Sequence, residues 1–241
     1  MQGPANFIGF RRSYKLGHTW HKLCRWAIGM KVRYCGNISS ATPTLFVANH
    51  ISYLDIPALG SLLDATFIAK SEIKSWPIFG LLCSLQRTVF IERDWRKALK
   101  QREQLYERLD QRDNLILFPE GTSNSGTFVR NFKSALFSAA DWKKKDRALV
   151  VQPVTIAYTK LNGSVMGRRL RPIFAWYGDM VMTNHFWTLL GSGNLSVDVI
   201  FHDPISLRNF KSRKELAKHC EQKVSAGLSA ALSGRLEFKH E

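Results

Sequence analysis

Residues 44–57 read TLFVANHISYLDIP, and this stretch decides the fold class. Its first five residues form a short, mostly apolar run of the kind that makes a strand buried on both faces. A helix is predicted to begin close to Asp55, because a proline such as Pro57 is tolerated only in the first helical turn. The stretch therefore predicts a buried strand, a short loop and a helix, in that order.

Further strands and helices are predicted on both sides of this unit. Similar apolar runs predict strands at 65–69, 88–91, 114–118, 148–157 and 195–201. Helical patterns lie at 55–63, 76–84, 94–112 and about 211–232. Strands that alternate with helices are typical of α/β proteins. We therefore predict an α/β fold, with a largely parallel sheet flanked by helices.

The N-terminal part has its own character. Residues 7–34 mix aromatic and basic side chains at spacings compatible with a helix, and residues 1–54 contain seven Lys or Arg and no Asp or Glu. Such a segment suits a membrane interface, but a helix that packs on its own core with a solvated basic face explains it equally well. We predict an N-terminal helical membrane-facing segment at 1–40 and an α/β domain at 41–241 that includes the C-terminal helix.

The net charge limits the classes of partner. The chain has 241 residues and a formal net charge of +16, which attracts either nucleic-acid phosphates or an anionic membrane surface. No stretch approaches the 18 apolar residues of a membrane-spanning helix, so we expect a peripheral protein. The four cysteines lack the spacing of a zinc site, so no metal is expected.

His50 is the first candidate catalytic residue. It lies in the loop after the strand at 44–48, and ligands in open α/β sheets gather at the carboxyl ends of strands. If the loop folds back, Asp55 can hold one ring nitrogen of His50 and leave the other to take a proton from a hydroxyl group. In the alternative interpretation, Asp55 caps the helix and His50 is an ordinary polar loop residue.

A second cluster, Phe118-Pro119-Glu120-Gly121-Thr122, follows the strand at 114–118. Glu120 offers a hydrogen-bond acceptor, Thr122 offers a donor, and Gly121 allows the backbone to approach a ligand closely. An ordinary turn has a similar composition. Arg93 follows the strand at 88–91, where it can hold an anion or form an exposed ion pair with a neighbouring carboxylate.

Taken together, these blocks resemble the glycerolipid acyltransferases typified by bacterial 1-acylglycerol-3-phosphate acyltransferase. The resemblance runs from about Thr44 to Tyr158 and rests on four blocks in the family's order. They are Asn49-His50 with Asp55, Phe90-Ile91 with Arg93, Phe118-Pro119-Glu120-Gly121-Thr122, and Val151-Gln152-Pro153-Val154.

The resemblance implies roles for particular residues. His50 would be the catalytic base and Asp55 its partner, while Arg93 and the loop at 120–122 would bind the acceptor headgroup. The donor would be an acyl carrier protein or coenzyme A thioester, with no metal or other cofactor. The predicted substrate-binding residues are Asn49, Lys70, Arg93, Phe118, Pro119, Glu120, Gly121, Thr122 and Lys133.

The acceptor is predicted less directly. The family usually has Arg after Glu-Gly-Thr, but this chain has Ser123, so a phosphate would depend on Arg93 with Arg87, Lys70 or Lys133. Our first choice is 1-acylglycerol-3-phosphate, which would yield phosphatidic acid, and the alternative is lyso-ornithine lipid. We expect a peripheral enzyme at the cytoplasmic face of the cell membrane. A nucleic-acid-binding protein is the contrasting class, but we expect no nucleic-acid partner because no known binding motif is visible.

Overall fold

A mixed sheet forms the centre of the molecule. The computed structural model describes residues 10–72, 88–91, 96, 98–144, 147–236 and 239–240. Within them the strand order is β12-β1-β10-β8-β2-β5-β3-β4. The strands are β1 (Met30–Cys35), β2 (Thr44–Ala48), β3 (Thr66–Lys70), β4 (Val89–Ile91), β5 (Leu115–Leu117), β6 (Lys143–Lys144), β7 (Arg147–Ala148), β8 (Val150–Leu161), β9 (Ser164–Val165), β10 (Leu195–Phe201), β11 (Ile205–Ser206) and β12 (Lys239–His240).

The predicted parallel arrangement holds for one half of the sheet. The pairs β8·β2, β2·β5, β5·β3 and β3·β4 are parallel, as is β1·β10. The two halves join through β10 and β8, which run antiparallel, and β9, β11 and β12 also pair antiparallel with their neighbours. The α/β class is therefore confirmed, and the parallel half brings together the carboxyl ends of β2 and β5.

Helices cover both faces of the sheet. They are α1 (Phe10–Ala27), α2 (Asp55–Gly60), α3 (Ala98–Asp110), α4 (Met182–Ser192) and α5 (Arg213–Leu232). Successive residues of a strand point to opposite faces, so Phe46 packs with α2 and α4, whereas Leu45 and Val47 pack with α3 and α5. The sheet thus separates two apolar cores, with α2 and α4 on one face and α3 and α5 on the other.

The N-terminal segment differs from its prediction. Helix α1 ends at Ala27, and Met30–Cys35 form β1, in which Met30 and Val32 are buried. The last part of the predicted helix at 7–34 is therefore a strand of the sheet. Helix α1 packs on α2, and Arg25 Nη1 donates a 2.9 Å hydrogen bond to Ser61 Oγ.

Other predicted elements shift by a few residues. The strand predicted at 148–157 runs from Val150 to Leu161, and the charged helix predicted at 94–112 is Ala98–Asp110. Leu105 and Leu109 of that helix are buried, but Leu99 is 65 % exposed. The helix predicted at 76–84 lies outside the described residues. None of the helices in the described part of the chain is long and apolar enough to cross a bilayer.

Candidate active site

Two loops meet at the carboxyl ends of the neighbouring parallel strands β2 and β5. The backbone N–H of His50 donates to Glu120 Oε1 at 2.9 Å, and the N–H of Asn124 donates to the carbonyl oxygen of His50 at 3.1 Å. The loop after β2, which carries His50, and the loop after β5, which carries Glu120, are therefore hydrogen-bonded to each other. The loop before α2 is held in place by the loop after β5.

His50 and Asp55 form the predicted pair. The distance from His50 Nδ1 to Asp55 Oδ2 is 2.8 Å, and the Asp55 side chain is completely buried. The same oxygen accepts hydrogen bonds from the N–H groups of Ile51 (2.7 Å) and Ser52 (3.1 Å), which makes the loop fold back as predicted. Because the Asp55 carboxylate acts as an acceptor, Nδ1 carries a proton, and the other ring nitrogen, Nε2, is the one that can accept a proton from a hydroxyl group.

The other oxygen of Asp55 is bound by a residue that the sequence analysis did not identify. Tyr158 Oη donates to Asp55 Oδ1 at 2.7 Å, and Tyr158 is buried in β8. Burial, together with the adjacent Asp55 charge, raises the pKa of Tyr158 well above 10, so its hydroxyl group remains a donor. The alternation along β8 places Val154, Ile156 and Tyr158 on one face, and this signal could have revealed Tyr158.

The ring of His50 is fixed by aromatic packing. Phe118 stacks on it with ring centroids 4.3 Å apart and an interplanar angle of 19°, and the ring of Phe67 lies nearly parallel to that of Phe118 with centroids 6.2 Å apart. The His50 side chain is 21 % exposed, and no group among the described residues bonds to Nε2. Phe118 therefore orients the His50 ring, while Nε2, the nitrogen that would take a proton, remains open.

Glu120 is turned into the protein. Its Oε1 accepts from the N–H of His50, and its Oε2 accepts from Asn124 Nδ2 (2.6 Å) and from the N–H of Arg130 (3.0 Å). Burial raises the pKa of Glu120 to about 7, although these three donors favour the carboxylate. Both oxygens thus accept hydrogen bonds that position the two loops, and the predicted contact of Glu120 with substrate stays a prediction.

Asn49 is also turned inward. Its Nδ2 donates to the carbonyl oxygen of Ile156 at 2.9 Å, and its Oδ1 accepts from the N–H of the same residue at 2.8 Å. The side-chain amide thus continues the β2·β8 pairing for one step beyond Ala48 and Val154. Both ends of this buried amide have partners within the fold, and the predicted contact of Asn49 with substrate stays a prediction.

The remaining predicted residues lie at the rim of the two loops. Gly121 has a φ of +69°, and its N–H donates to the carbonyl oxygen of Phe118 at 3.1 Å. A Cβ at this position would lie 3.1 Å from Lys133 Nζ, so the exposed ammonium group of Lys133 stands over Gly121. The backbone N–H of Lys133 donates to the carbonyl oxygen of Pro119, which is buried.

Three further predicted positions complete the set. Thr122 is half-buried next to Gly121, and Lys70 is half-buried at the end of β3, the neighbour of β5 in the sheet. Arg93, with Arg87, lies outside the described residues. The structure thus brings His50, Phe118 and the 119–122 loop together, with Lys133 beside them.

A third segment closes one side of the site. Ser123 is buried, and its Oγ donates a very short hydrogen bond to the carbonyl oxygen of Trp176. The N–H of Trp176 donates to the carbonyl oxygen of Ile51 at 3.1 Å. Ser123 therefore faces this segment, and its hydroxyl group is not directed at a substrate.

Comparisons with known proteins show what this chain is similar to. The family described as Acyltransferase matches residues 30–157. A protein named lyso-ornithine lipid O-acyltransferase from Brucella abortus is 39 % identical over 235 residues, covering 95 % of this chain and 88 % of the relative. A 1-acyl-sn-glycerol-3-phosphate acyltransferase from Neisseria gonorrhoeae is 32 % identical over 76 % of this chain and 68 % of its own length. The crystal structure of the 1-acyl-sn-glycerophosphate acyltransferase PlsC from Thermotoga maritima shares the fold, with a TM-score of 0.67, 24 % identity, and coverage of 93 % of this chain and 81 % of its own.

Proposed function

Because the chain belongs to the acyltransferase family and acts on lysolipids, we propose that its acceptor is lyso-ornithine lipid and that His50 is the general base. The single observation that carries the catalytic assignment is the open Nε2 of His50, whose ring is held by the buried Asp55. The acceptor differs from our first choice, 1-acylglycerol-3-phosphate. Two relatives named lyso-ornithine lipid O-acyltransferase match 95 % and 91 % of this chain at 39 % identity, whereas the 1-acyl-sn-glycerol-3-phosphate acyltransferase from Neisseria gonorrhoeae matches 76 % of it at 32 %.

The environment of Ser123 supports this choice of acceptor. The glycerolipid acyltransferases that this chain resembles usually have an arginine at this position, and a guanidinium group binds a phosphate through two parallel hydrogen bonds. Ser123 has no charge, and its hydroxyl group is bonded to the backbone of Trp176. A phosphate monoester would thus lack one positive partner here, whereas a zwitterionic ornithine headgroup does not need it.

The proposed reaction is direct transfer. Nε2 of His50 removes the proton from the acceptor hydroxyl group as its oxygen attacks the carbonyl carbon of the acyl thioester. Asp55 accepts a hydrogen bond from Nδ1–H and stabilises the imidazolium that forms. When the tetrahedral intermediate collapses, the carbon–sulfur bond breaks and the thiolate takes the proton from Nε2. The products are an ester and a free thiol, and His50 is regenerated.

The donor and the place of action belong to the same proposal. We propose an acyl carrier protein or coenzyme A thioester as donor, and a peripheral position on the cytoplasmic face of an anionic membrane. Helix α1 supports the membrane contact, because Trp20, Leu23 and Trp26 are exposed on a helix that also carries Lys22 and Arg25. The net charge of +16 is then explained by lipid phosphates, and we expect no nucleic-acid partner.

A competition assay tests the acceptor. Lyso-ornithine lipid and 1-acylglycerol-3-phosphate are offered together to the purified protein with limiting labelled acyl donor, and the product ratio gives the ratio of the two kcat/KM values. We expect ornithine lipid to dominate. Preferential formation of phosphatidic acid would restore our first choice.

The catalytic assignment is tested separately. His50→Ala is expected to lower kcat by at least about 100-fold, because general base catalysis contributes about 10² to 10⁴. His219→Ala is the matched control, since His219 lies on α5 against the other face of the sheet. A folded His50→Ala variant with near-normal turnover would exclude His50 as the base.

A further inference from the structure

Helix α4 has an apolar face that the described residues do not cover. His185 and Leu189 are buried, four residues apart on the side facing the core. Phe186, Trp187 and Leu190 lie on the opposite side at helical spacing, and all three are exposed, Trp187 by 72 %. Val181, directly before the helix, is 61 % exposed. Exposed apolar clusters of this size are unusual on a protein surface that contacts only water.

The charges around α4 select the kind of partner. The helix itself contains no Asp, Glu, Lys or Arg. The segment 167–181 that precedes the helix carries Arg168, Arg169 and Arg171 near its start, and its single acidic residue is Asp179. Within the described ranges these three arginines form no ion pair, and Nε of Arg171 is buried without a hydrogen-bond partner. Exposed aromatic and aliphatic side chains on a helix that is hydrogen-bonded, through His185 and Ile173, to the segment with these arginines match the headgroup region of an anionic bilayer.

This surface is connected to the catalytic loop by direct contacts. His185 Nε2 donates to the carbonyl oxygen of Ile173 at 3.0 Å, so its Nδ1 is the acceptor for the hydroxyl group of Tyr53 at 2.9 Å. Burial lowers the pKa of His185 and raises the pKa of Tyr53 to about 12, which keeps both groups neutral. Tyr53 lies between His50 and Asp55 in sequence, so α4 is anchored to the loop that carries the base.

Helix α1 lies over the same face of the sheet. It packs on α2, and residues Ala58 and Leu59 of α2 belong to the same apolar core as Leu189 of α4. A bilayer that contacts α1 and α4 together would then lie beside the site, where an acceptor could reach His50 without leaving the lipid.

We propose that α4 and the preceding segment 167–181 form a second membrane-docking surface for anionic lipid, resting on the proposed function for the choice of lipid over protein. Phe186, Trp187 and Leu190 enter the interface, and the arginines at 168, 169 and 171 bind the anionic headgroups. This surface is separate in sequence from α1, so the protein contacts the bilayer at two points.

The test compares one chemical change at two positions. Leu190→Asp is expected to weaken partitioning into phosphatidylglycerol–phosphatidylcholine vesicles at least about tenfold, which corresponds to about 1.4 kcal/mol. Leu99→Asp is the matched control, because Leu99 is also exposed, by 65 % against 43 % for Leu190, but lies on α3 across the sheet. It should change partitioning by less than about twofold. Replacing Arg168 and Arg169 by Ser should weaken binding to these vesicles but not to vesicles of phosphatidylcholine alone.

The outcomes separate this surface from the proposed function. Unfolding curves must match the wild type, as expected for an exposed position. If Leu190→Asp and Leu99→Asp partition alike, the docking surface is wrong, whatever the enzyme does with detergent-dispersed acceptor. If Leu190→Asp instead converts a lipid-free dimer into a monomer, α4 binds a second copy and the lipid assignment is also wrong. If the wild type fails to acylate dispersed lyso-ornithine lipid while Leu190→Asp still loses vesicle binding, the acceptor fails and the docking surface stands.

Discussion

Replacing Tyr158 by Phe removes one hydroxyl group from the buried end of the His50–Asp55 pair, the proposed catalytic pair. That group donates to Asp55 Oδ1 at 2.7 Å, and the Asp55 side chain has no exposed surface. Oδ1 would be left without its donor, where water cannot replace it. A hydrogen bond to a charged group is worth about 1.5–3 kcal/mol, so we expect the free energy of unfolding to fall by about that amount.

The effect on turnover should be smaller than the loss of the base itself. Asp55 Oδ2 would still hold His50 Nδ1 and the amides of Ile51 and Ser52. The carboxylate would be oriented from one side only, so we expect kcat to fall about tenfold, equivalent to about 1.4 kcal/mol of activation free energy. KM should remain unchanged, because Tyr158 is fully buried and does not reach the substrate.

Steady-state kinetics and urea unfolding of the same samples check this prediction. Tyr106→Phe makes the same chemical change on α3, against the other face of the sheet, and should leave kcat unaltered. A Tyr158→Phe protein that loses stability but keeps its kcat would reduce Tyr158 to a packing residue. A parallel rise in KM would show that the change had disturbed the binding site.

Three further substitutions test how individual residues contribute to the stability of the fold around and behind the site. Burial raises the pKa of Glu120 in the folded state to about 7, above its usual 4.5, so the folded state holds this proton more tightly than the unfolded chain does. The free energy of unfolding should therefore fall by up to about 3 kcal/mol as the pH rises from 4.5 to about 7. Urea unfolding of Glu120→Gln should not show this dependence on pH. Asn49→Ala leaves the buried N–H and C=O of Ile156 unpaired and should cost about 2–4 kcal/mol in urea unfolding, and a cost below about 1 kcal/mol would contradict the link between the strands. Gly36→Ala should lower the melting temperature far more than Gly163→Ala. Both glycines have a φ near +84°, but only at Gly36 would an added Cβ lie 2.0 Å from a backbone oxygen, that of Phe201. Equal losses in melting temperature would refute this steric argument.

Local sequence signals predicted the strands that are buried on both faces well. The run at 44–48 became β2 and the run at 195–201 became β10, because strands buried on both faces need continuous apolar residues. The same signal missed β1, because within Met30–Cys35 the apolar residues alternate with Lys31 and Arg33. Arg33 forms a bidentate pair with the buried Asp198 of β10, at 2.8 and 2.7 Å, and this tertiary contact is invisible in the local pattern.

The prediction of the His50–Asp55 geometry succeeded for a related reason. Both residues lie within six positions of one loop, and Pro57 fixed where the helix could begin. Tyr158 is more than one hundred residues away in sequence, so nothing near His50 indicated that its hydroxyl group would bind Asp55. Short-range partners can be inferred from spacing, whereas a partner that depends on strand order requires the fold.

The same distinction explains why polar residues beside the base are poor guides to specificity. Asn49 and Glu120 lie beside His50, yet their side chains form hydrogen bonds with backbone groups that would otherwise be unpaired where the strands end. A buried loop must satisfy those groups before it can offer anything to a ligand. Under the proposed function we expect headgroup selection to depend on polar groups that the described fold leaves open, among them the exposed ammonium of Lys133 above Gly121. One cation of this kind can pair with the single carboxylate of an ornithine headgroup, whereas a dianionic phosphate calls for more than one.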